Sequence, residues 1–265
     1  MVHKKMLLDL QALGIMPGND LLVHSSYKSL GAEVENPMQV IETLRFALGE
    51  EGTLLFPTLT YEAVPALPAE KRIFDVRHTP SDVGALSEVF RNMEGVVRSV
   101  HPTHSVAAIG KRAETYVANH EKDATPVGEN SPFRKLRDYK GYILMLGCGL
   151  NPNTSMHGVE ELANAPYCLQ HKFDYQCTNA QGEVNTLNVQ RHHFRNAHGE
   201  RINQRYDRLQ YILPGYVLAG GKVLDADCYI IAAKLMWDIA EKVMKDDPLF
   251  FVDDEASVKK SEVLA

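Results

Sequence analysis

No apolar run in this chain of 265 residues approaches the roughly 20 residues that cross a bilayer. The opening MVHKKMLLDLQALG turns polar at Asp9 and Gln11 before a signal-peptide core is complete, so a soluble, cytoplasmic protein without a membrane partner is expected. Cysteine is scarce. Cys148, Cys168, Cys177 and Cys228 form no CxxC pair and read as reduced thiols rather than a disulfide frame. A basic excess is missing too: 28 Lys and Arg against 34 Asp and Glu give a net charge of −6, which argues against a nucleic-acid partner. Neither glycine, at 18, nor proline, at 13, reaches low-complexity levels, and 45% hydrophobic residues suffice for a sizeable core.

What is present alternates between two periods. Leu7, Leu10 and Leu13 recur at helical spacing before the Pro17-Gly18-Asn19 turn and the short run Leu21-Leu22-Val23. Asn36-Pro37 opens a second helix, and TLLFPT at 53–58 is the next strand. Residues 59–80 have no period and read as a long loop or insertion. Further on, a helix over 84–93, a strand over 105–110, a helix over 112–119, a Pro132-initiated helix and the buried run YILML at 142–146 continue the alternation. Asn153 or Thr154 can cap a helix that stops before Pro166. Residues 171–190 alternate like paired antiparallel strands around Ala180-Gln181-Gly182, GKVLDADCYII reads as one strand, and a helix runs through Leu235, Ile239 and Val243. With no internal repeat and no linker, the expectation is one α/β domain with a mixed sheet over residues 1–252, followed by a charged, frayed tail at 253–265.

Three polar segments follow or adjoin predicted strands: HSSYKSLG from His24, RSVHPTHS from Arg98 and NTSMHGVEE from Asn153. Ligands of open α/β sheets gather outside the carboxyl ends of strands, so these loops are expected to share a site. Each offers a histidine and hydroxyls, suited to proton transfer near neutral pH.

In this order, LLVHSSYKSLG, GTLLFPT, VVRSVHPTHSVAAIG, VGENSPFRKL and GYILMLGCGLNPNTSMHGVE resemble the aminoglycoside 3-N-acetyltransferase family, the antibiotic acetyltransferases distinct from the GNAT type. The resemblance covers residues 5–165 strongly and 215–245 loosely. It implies a three-layer α/β/α fold with a mixed, mostly parallel sheet and a small antiparallel part. It also implies direct transfer of acetyl from acetyl-CoA to a small-molecule amine, an aminoglycoside or another amino-sugar-like acceptor, with antibiotic resistance as the family's hallmark. A homodimer is compatible with it, and no metal is expected.

The family's [ST]-x-x-H-x-x-E setting falls on Thr154 to Glu160. An attacking amine is mostly ammonium at pH 7, and His157 is the base that would take its proton, oriented by Glu160 three residues on. The competing reading is that His157 only caps the helix start. His24, Ser25, Ser26, Lys28 and Ser29, with Arg98, His101, Ser105 and Thr154, match the family's coenzyme A cradle, where hydroxyls and cations suit phosphates and pantetheine amides. Asp207 stands where the family places an acid near the acceptor. Around it the stretch 191–208, RHHFRNAHGERINQRYDR, is densely basic, which fits an anionic amine better than a polycation. Other chemistries on the same residues are a zinc-dependent hydrolase using His101, His104, His192, His193 and Asp207, an acyl-enzyme on Cys148 or Ser25, and an inactive CoA-binding protein.

Overall fold

Leu21 and Val23 point to one face of the first strand and Leu22 to the other, and each is fully buried, so the sheet that begins here is covered on both sides. The computed structural model describes residues 2–60, 72–195, 199 and 201–253. Its elements are α1 (Val2–Ala12), β1 (Asp20–Ser25), α2 (Pro37–Leu48), β2 (Thr53–Pro57), β3 (Ile73–Asp75), α3 (Ala85–Arg91), β4 (Val97–Arg98), β5 (Val106–Gly110), α4 (Ala113–Val117), α5 (Pro132–Asp138) and β6 (Tyr142–Leu146). There follow α6 (Ser155–Leu162), β7 (Leu169–Thr178), β8 (Val184–His192), β9 (Asn203–Gln204), α7 (Leu209–Ile212), β10 (Leu218–Val223), β11 (Ala226–Ala232), α8 (Ala233–Asp246) and β12 (Val252–Asp253).

Seven strands form the main sheet in the order β10-β11-β6-β1-β2-β5-β4. The central three, β6, β1 and β2, run parallel, while β5 and β11 are antiparallel to them. Outermost, β4 and β10 are antiparallel to those two and so point with the centre, as a mixed, mostly parallel sheet requires. Leu22, Leu55, Ile143 and Met145 face a core built with Tyr116, Phe133, Met156 and Trp237 of α4, α5, α6 and α8. Leu54, Phe56, Leu144 and Leu146 face the opposite core with Leu10, Val40, Ile41, Leu44 and Phe90 of α1, α2 and α3. The three-layer α/β/α arrangement follows from this alternation.

Local signals act as the sequence predicts at several ends. Asn36 accepts a hydrogen bond from the Gln39 N–H at 3.1 Å with Pro37 in the first helical turn, a cap worth about 1 kcal/mol. Residues 171–190 do form the β7–β8 hairpin around Ala180-Gln181-Gly182, and β3 joins it in parallel as a separate three-stranded sheet. Two expectations change. The stretch 221–231 is a hairpin rather than one strand, because Leu224 takes a left-handed φ of 53° and, with Asp225, turns β10 into β11. The chain is also ordered through Asp253, whose strand β12 pairs with β9, so the tail does not begin there; residues 254–265 lie outside the described residues. Within 59–80, residues 61–71 lie outside them as well. No helix among the described residues is long and apolar enough to cross a membrane.

Candidate active site

The carboxyl ends of the parallel strands share one side of the sheet, and a cavity of about 520 Å³ opens there. Ser25 ends β1, Leu59 follows β2, and His104 precedes β5, which runs back beside β2. Thr154 and His157 stand at the start of α6, in the connection that leaves β6, and Arg191 and His192 close the cavity from the end of β8.

Helix α6 is seated by one side-chain cap and one close approach. Asn153 Oδ1 accepts from the Ser155 N–H at 3.2 Å, whereas the Thr154 hydroxyl makes no cap. At Gly158 any Cβ would run into the Trp237 indole and Val127, so glycine lets α6 lie directly on α8, and the Trp237 Nε1–H donates to Ser155 Oγ at 2.8 Å. Gly147, with φ of 70°, meets the Ser29 hydroxyl in the same way and locks the loop after β6 to the turn after β1.

On α6, His157 and Glu160 share a face as i and i+3. Nδ1 of His157 lies 3.1 Å from Glu160 Oε2, and the carboxylate is fully buried. Tyr206 Oη donates to Glu160 Oε2 at 2.8 Å and lies 2.9 Å from His157 Nδ1, and Tyr167 donates to Oε1 at 3.2 Å. Three donors therefore compensate one buried negative charge. With its Nδ1 proton given to Glu160, the imidazole keeps an Nε2 lone pair. His157 does not cap the helix by its side chain; its ring is committed to Glu160 and Tyr206.

Beside it lies a group of buried histidines. His104 Nε2 is 3.2 Å from His192 Nδ1, His192 Nε2 is 2.8 Å from Glu161 Oε1, and His104 Nδ1 is 2.9 Å from Thr103 Oγ1. Burial, ahead of repulsion from neighbouring histidines, holds His104 and His192 well below the ordinary value of 6.5, and burial with nearby His157 takes His24 down to about 3. Burial likewise pushes Glu161 up to about 7, against hydrogen bonds that favour its charge.

The structure sorts the expected cradle into groups. His24, Ser25 and Thr154 line the cavity with His157. Ser26, Lys28 and Ser29 belong to the turn after β1, where Ser29 Oγ donates to the Ser26 carbonyl and Lys28 is exposed. Arg98 is withdrawn. Its Nε donates to Thr58 Oγ1 and Ser105 Oγ at 3.0 and 2.9 Å, Nη1 to the Thr79 carbonyl at 2.6 Å and Nη2 to the Thr58 carbonyl at 2.8 Å, so it clamps loops together rather than facing the cavity. Ser105, fully buried, returns its hydroxyl to the Thr58 carbonyl. His101 is fully buried, stacked on His120, and accepts the N–H groups of Thr103 and His104 on Nδ1. None of these three lines the cavity.

Asp207 is not brought to the base either. Arg205 grips both of its carboxylate oxygens at 3.0 Å, which also lowers its pKa below 3.8, and its neighbour Tyr206 is the residue that reaches His157. Without Asp207 and His101, the zinc set read from the sequence does not assemble. Cys148 does not line the cavity, and burial raises its thiol to about 12, so it lacks the thiolate an acyl-enzyme needs. His198 lies outside the described residues. Sequence reasoning missed Tyr206, Tyr167, Glu161 and the placing of His104 with His192; the apolar 202–213 stretch that buries Tyr206 was the available signal.

A sequence profile for aminoglycoside 3-N-acetyltransferases matches residues 22–245. Aminoglycoside N(3)-acetyltransferase III of Pseudomonas aeruginosa is 32% identical over 84% of this chain and 86% of its own length. Aminoglycoside N(3)-acetyltransferase IV of a Salmonella species is 36% identical over 58% of this chain, a match that spans 57% of the relative. Among solved structures, the apoenzyme of aminoglycoside acetyltransferase AAC(3)-IVa superposes with a TM-score of 0.77 at 28% identity, covering 96% of this chain and 92% of that one. The chain is an acetyltransferase and belongs to the aminoglycoside 3-N-acetyltransferase family.

Proposed function

We propose that the protein transfers the acetyl group of acetyl-CoA directly to a primary amine of an amino-sugar-like acceptor, with His157 as general base. The observation that carries this reading is the buried Glu160 holding His157 Nδ1 at 3.1 Å on the wall of the cavity. The acceptor ammonium gives a proton to Nε2, and its nitrogen attacks the thioester carbonyl carbon. As the amide bond forms, the carbon–sulfur bond breaks and the leaving thiolate takes the proton from His157. Glu160 stays ionised and stabilises the transient imidazolium, while Tyr206 fixes the ring plane. His24, Ser25 and Thr154 offer polar contacts along the pantetheine arm, and exposed Lys28 supplies a cation for the phosphates. A relative supports the role of the histidine: AAC(3)-IVa was solved with a gentamicin as a histidine-to-alanine variant, at 29% identity to this chain.

The acceptor we infer carries negative charge. Arg191, Arg195 and Arg201 line the cavity, and no Asp or Glu among the described residues does. Such a wall repels a polycation, most strongly at low salt. A panel of amines assayed by thiol release from acetyl-CoA tests this, comparing aminoglycosides with neutral and acidic amino sugars. Acidic amino sugars are expected to give the highest kcat/KM, with raised salt narrowing the gap. Efficient turnover of gentamicin-like compounds at micromolar KM would restore the polycation, and no thiol release with any amine would contradict the transferase mechanism.

A further inference from the structure

His101-x-x-His104 is a poor metal spacing in the sequence, but folding replaces it with another set. One nitrogen from each of His104, His157 and His192 can be chosen so that all three lie within 4.8 Å of one another. The ring centroid of His192 lies 4.6 Å from those of both His104 and His157. Two ligands on a tetrahedral zinc sit about 3.4 Å apart, given Zn–N bonds of about 2.0–2.1 Å, and His104 Nε2 and His192 Nδ1 are separated by 3.2 Å.

The opposite nitrogen of each ring already has an oxygen partner. Nδ1 of His157 has Glu160 Oε2 at 3.1 Å, Nε2 of His192 has Glu161 Oε1 at 2.8 Å, and Nδ1 of His104 has Thr103 Oγ1 at 2.9 Å. Such partners fix the tautomer that leaves the other nitrogen able to bind a metal, and two of the three are carboxylates. The cavity leaves a fourth position open to water or thiolate.

We propose that His104, His157 and His192 form a binding site for zinc or a similar borderline divalent cation, and that its occupation inhibits acetyl transfer. Three imidazoles favour such ions over magnesium or calcium. Binding moves the proton between His104 and His192 onto the nitrogens facing Thr103 and Glu161, and the metal takes the Nε2 lone pair of His157. The inhibitory half rests on His157 being the base.

Cobalt(II) titrated into metal-free full-length protein reads the site directly, because a four-coordinate nitrogen site gives intense visible bands. One equivalent is expected to bind at micromolar concentration. His104→Gln and His192→Gln should each weaken binding at least 100-fold, while exposed His78→Gln and His171→Gln leave it unchanged. Zinc should abolish thiol release with the midpoint at which it displaces cobalt, and a chelator should restore it. Should the two variants fold poorly, histidine ring 15N spectra of the wild type decide: zinc must shift the nitrogens of these three residues. Absence of the bands, shifts confined to other histidines, or a zinc-saturated protein with full turnover would each overturn the inference. A fully active His157→Asn would remove the general-base reading and leave the cobalt result to judge the site by itself.

Discussion

At the scale of single residues, neighbours in the chain have opposite fates. Asp207 and Tyr206 adjoin, yet the charge goes to Arg205 and the phenol to the catalytic pair. Tyr206→Phe keeps the buried ring and removes the hydroxyl that joins His157 to Glu160. Turnover at saturating acetyl-CoA should fall roughly 5- to 30-fold, the worth of one hydrogen bond to a charged group, and the ascending limb of the pH profile should move while KM holds. An unchanged profile with lower thermal stability would make Tyr206 structural only. Arg98 carries the opposite prediction. Arg98→Ala leaves several buried oxygens without donors and should cost about 3 kcal/mol in urea unfolding. The folded fraction should still bind coenzyme A within a few-fold of wild type by calorimetry, and a selective loss of that affinity would return Arg98 to the cofactor. The sequence marks His157 and Glu160 because i and i+3 places them together before any tertiary structure exists. Arg98 is misread from it because a guanidinium serves a phosphate or four protein oxygens equally well, and only the folded loops choose.

Among elements, the strands and most helices are legible because each alternates or repeats within its own length. Helix α8 shows the limit: Leu235, Ile239 and Val243 mark it as helical, yet the side driven into the core is Ala233, Met236, Trp237, Ala240 and Met244, with Leu235 exposed. Period reveals that a helix exists; which stripe is buried depends on the partner surface. That surface is α6, and its contact runs through Gly158. Gly158→Ala forces a methyl against Trp237 and should cost about 1–3 kcal/mol by overpacking. Turnover should drop with it because α6 carries both His157 and Glu160, and Trp237→Phe combined with Gly158→Ala should recover part of the loss. Equal stability of the Gly158→Ala protein and wild type in urea would show that the two helices are not held at that contact.

The whole molecule gathers buried neutral histidines on one side of its sheet, from segments far apart in sequence. His24, His101, His104, His120 and His192 are all held below 6.5, chiefly by burial. Each binds fewer protons folded than unfolded as pH falls below 6.5, so each loses stability on acidification. Glu161 opposes them: raised to about 7 from 4.5, it binds more protons folded across that window, and its stabilising effect is lost as pH rises through 7. Five groups outweigh one. Melting temperature should fall steadily from pH 7 to pH 5, and calorimetry in buffers of different ionisation heat should register uptake of several protons on unfolding near pH 5. A flat melting temperature over that range would mean that these histidines are already protonated or open to water. Nothing local in the sequence announces the cluster, since its members are set by β1, β5, α6 and β8 meeting at one end of the sheet.

The central claim is that His157 removes the amine proton, and His157→Asn tests it most directly. Asparagine keeps a polar side chain of similar bulk but accepts no proton near neutral pH. With melting temperature and coenzyme A affinity close to wild type, turnover should fall roughly a hundredfold to ten-thousandfold and lose the ascending limb of its pH dependence. A folded variant that turns over within a few-fold of wild type, with that limb intact, would contradict the account.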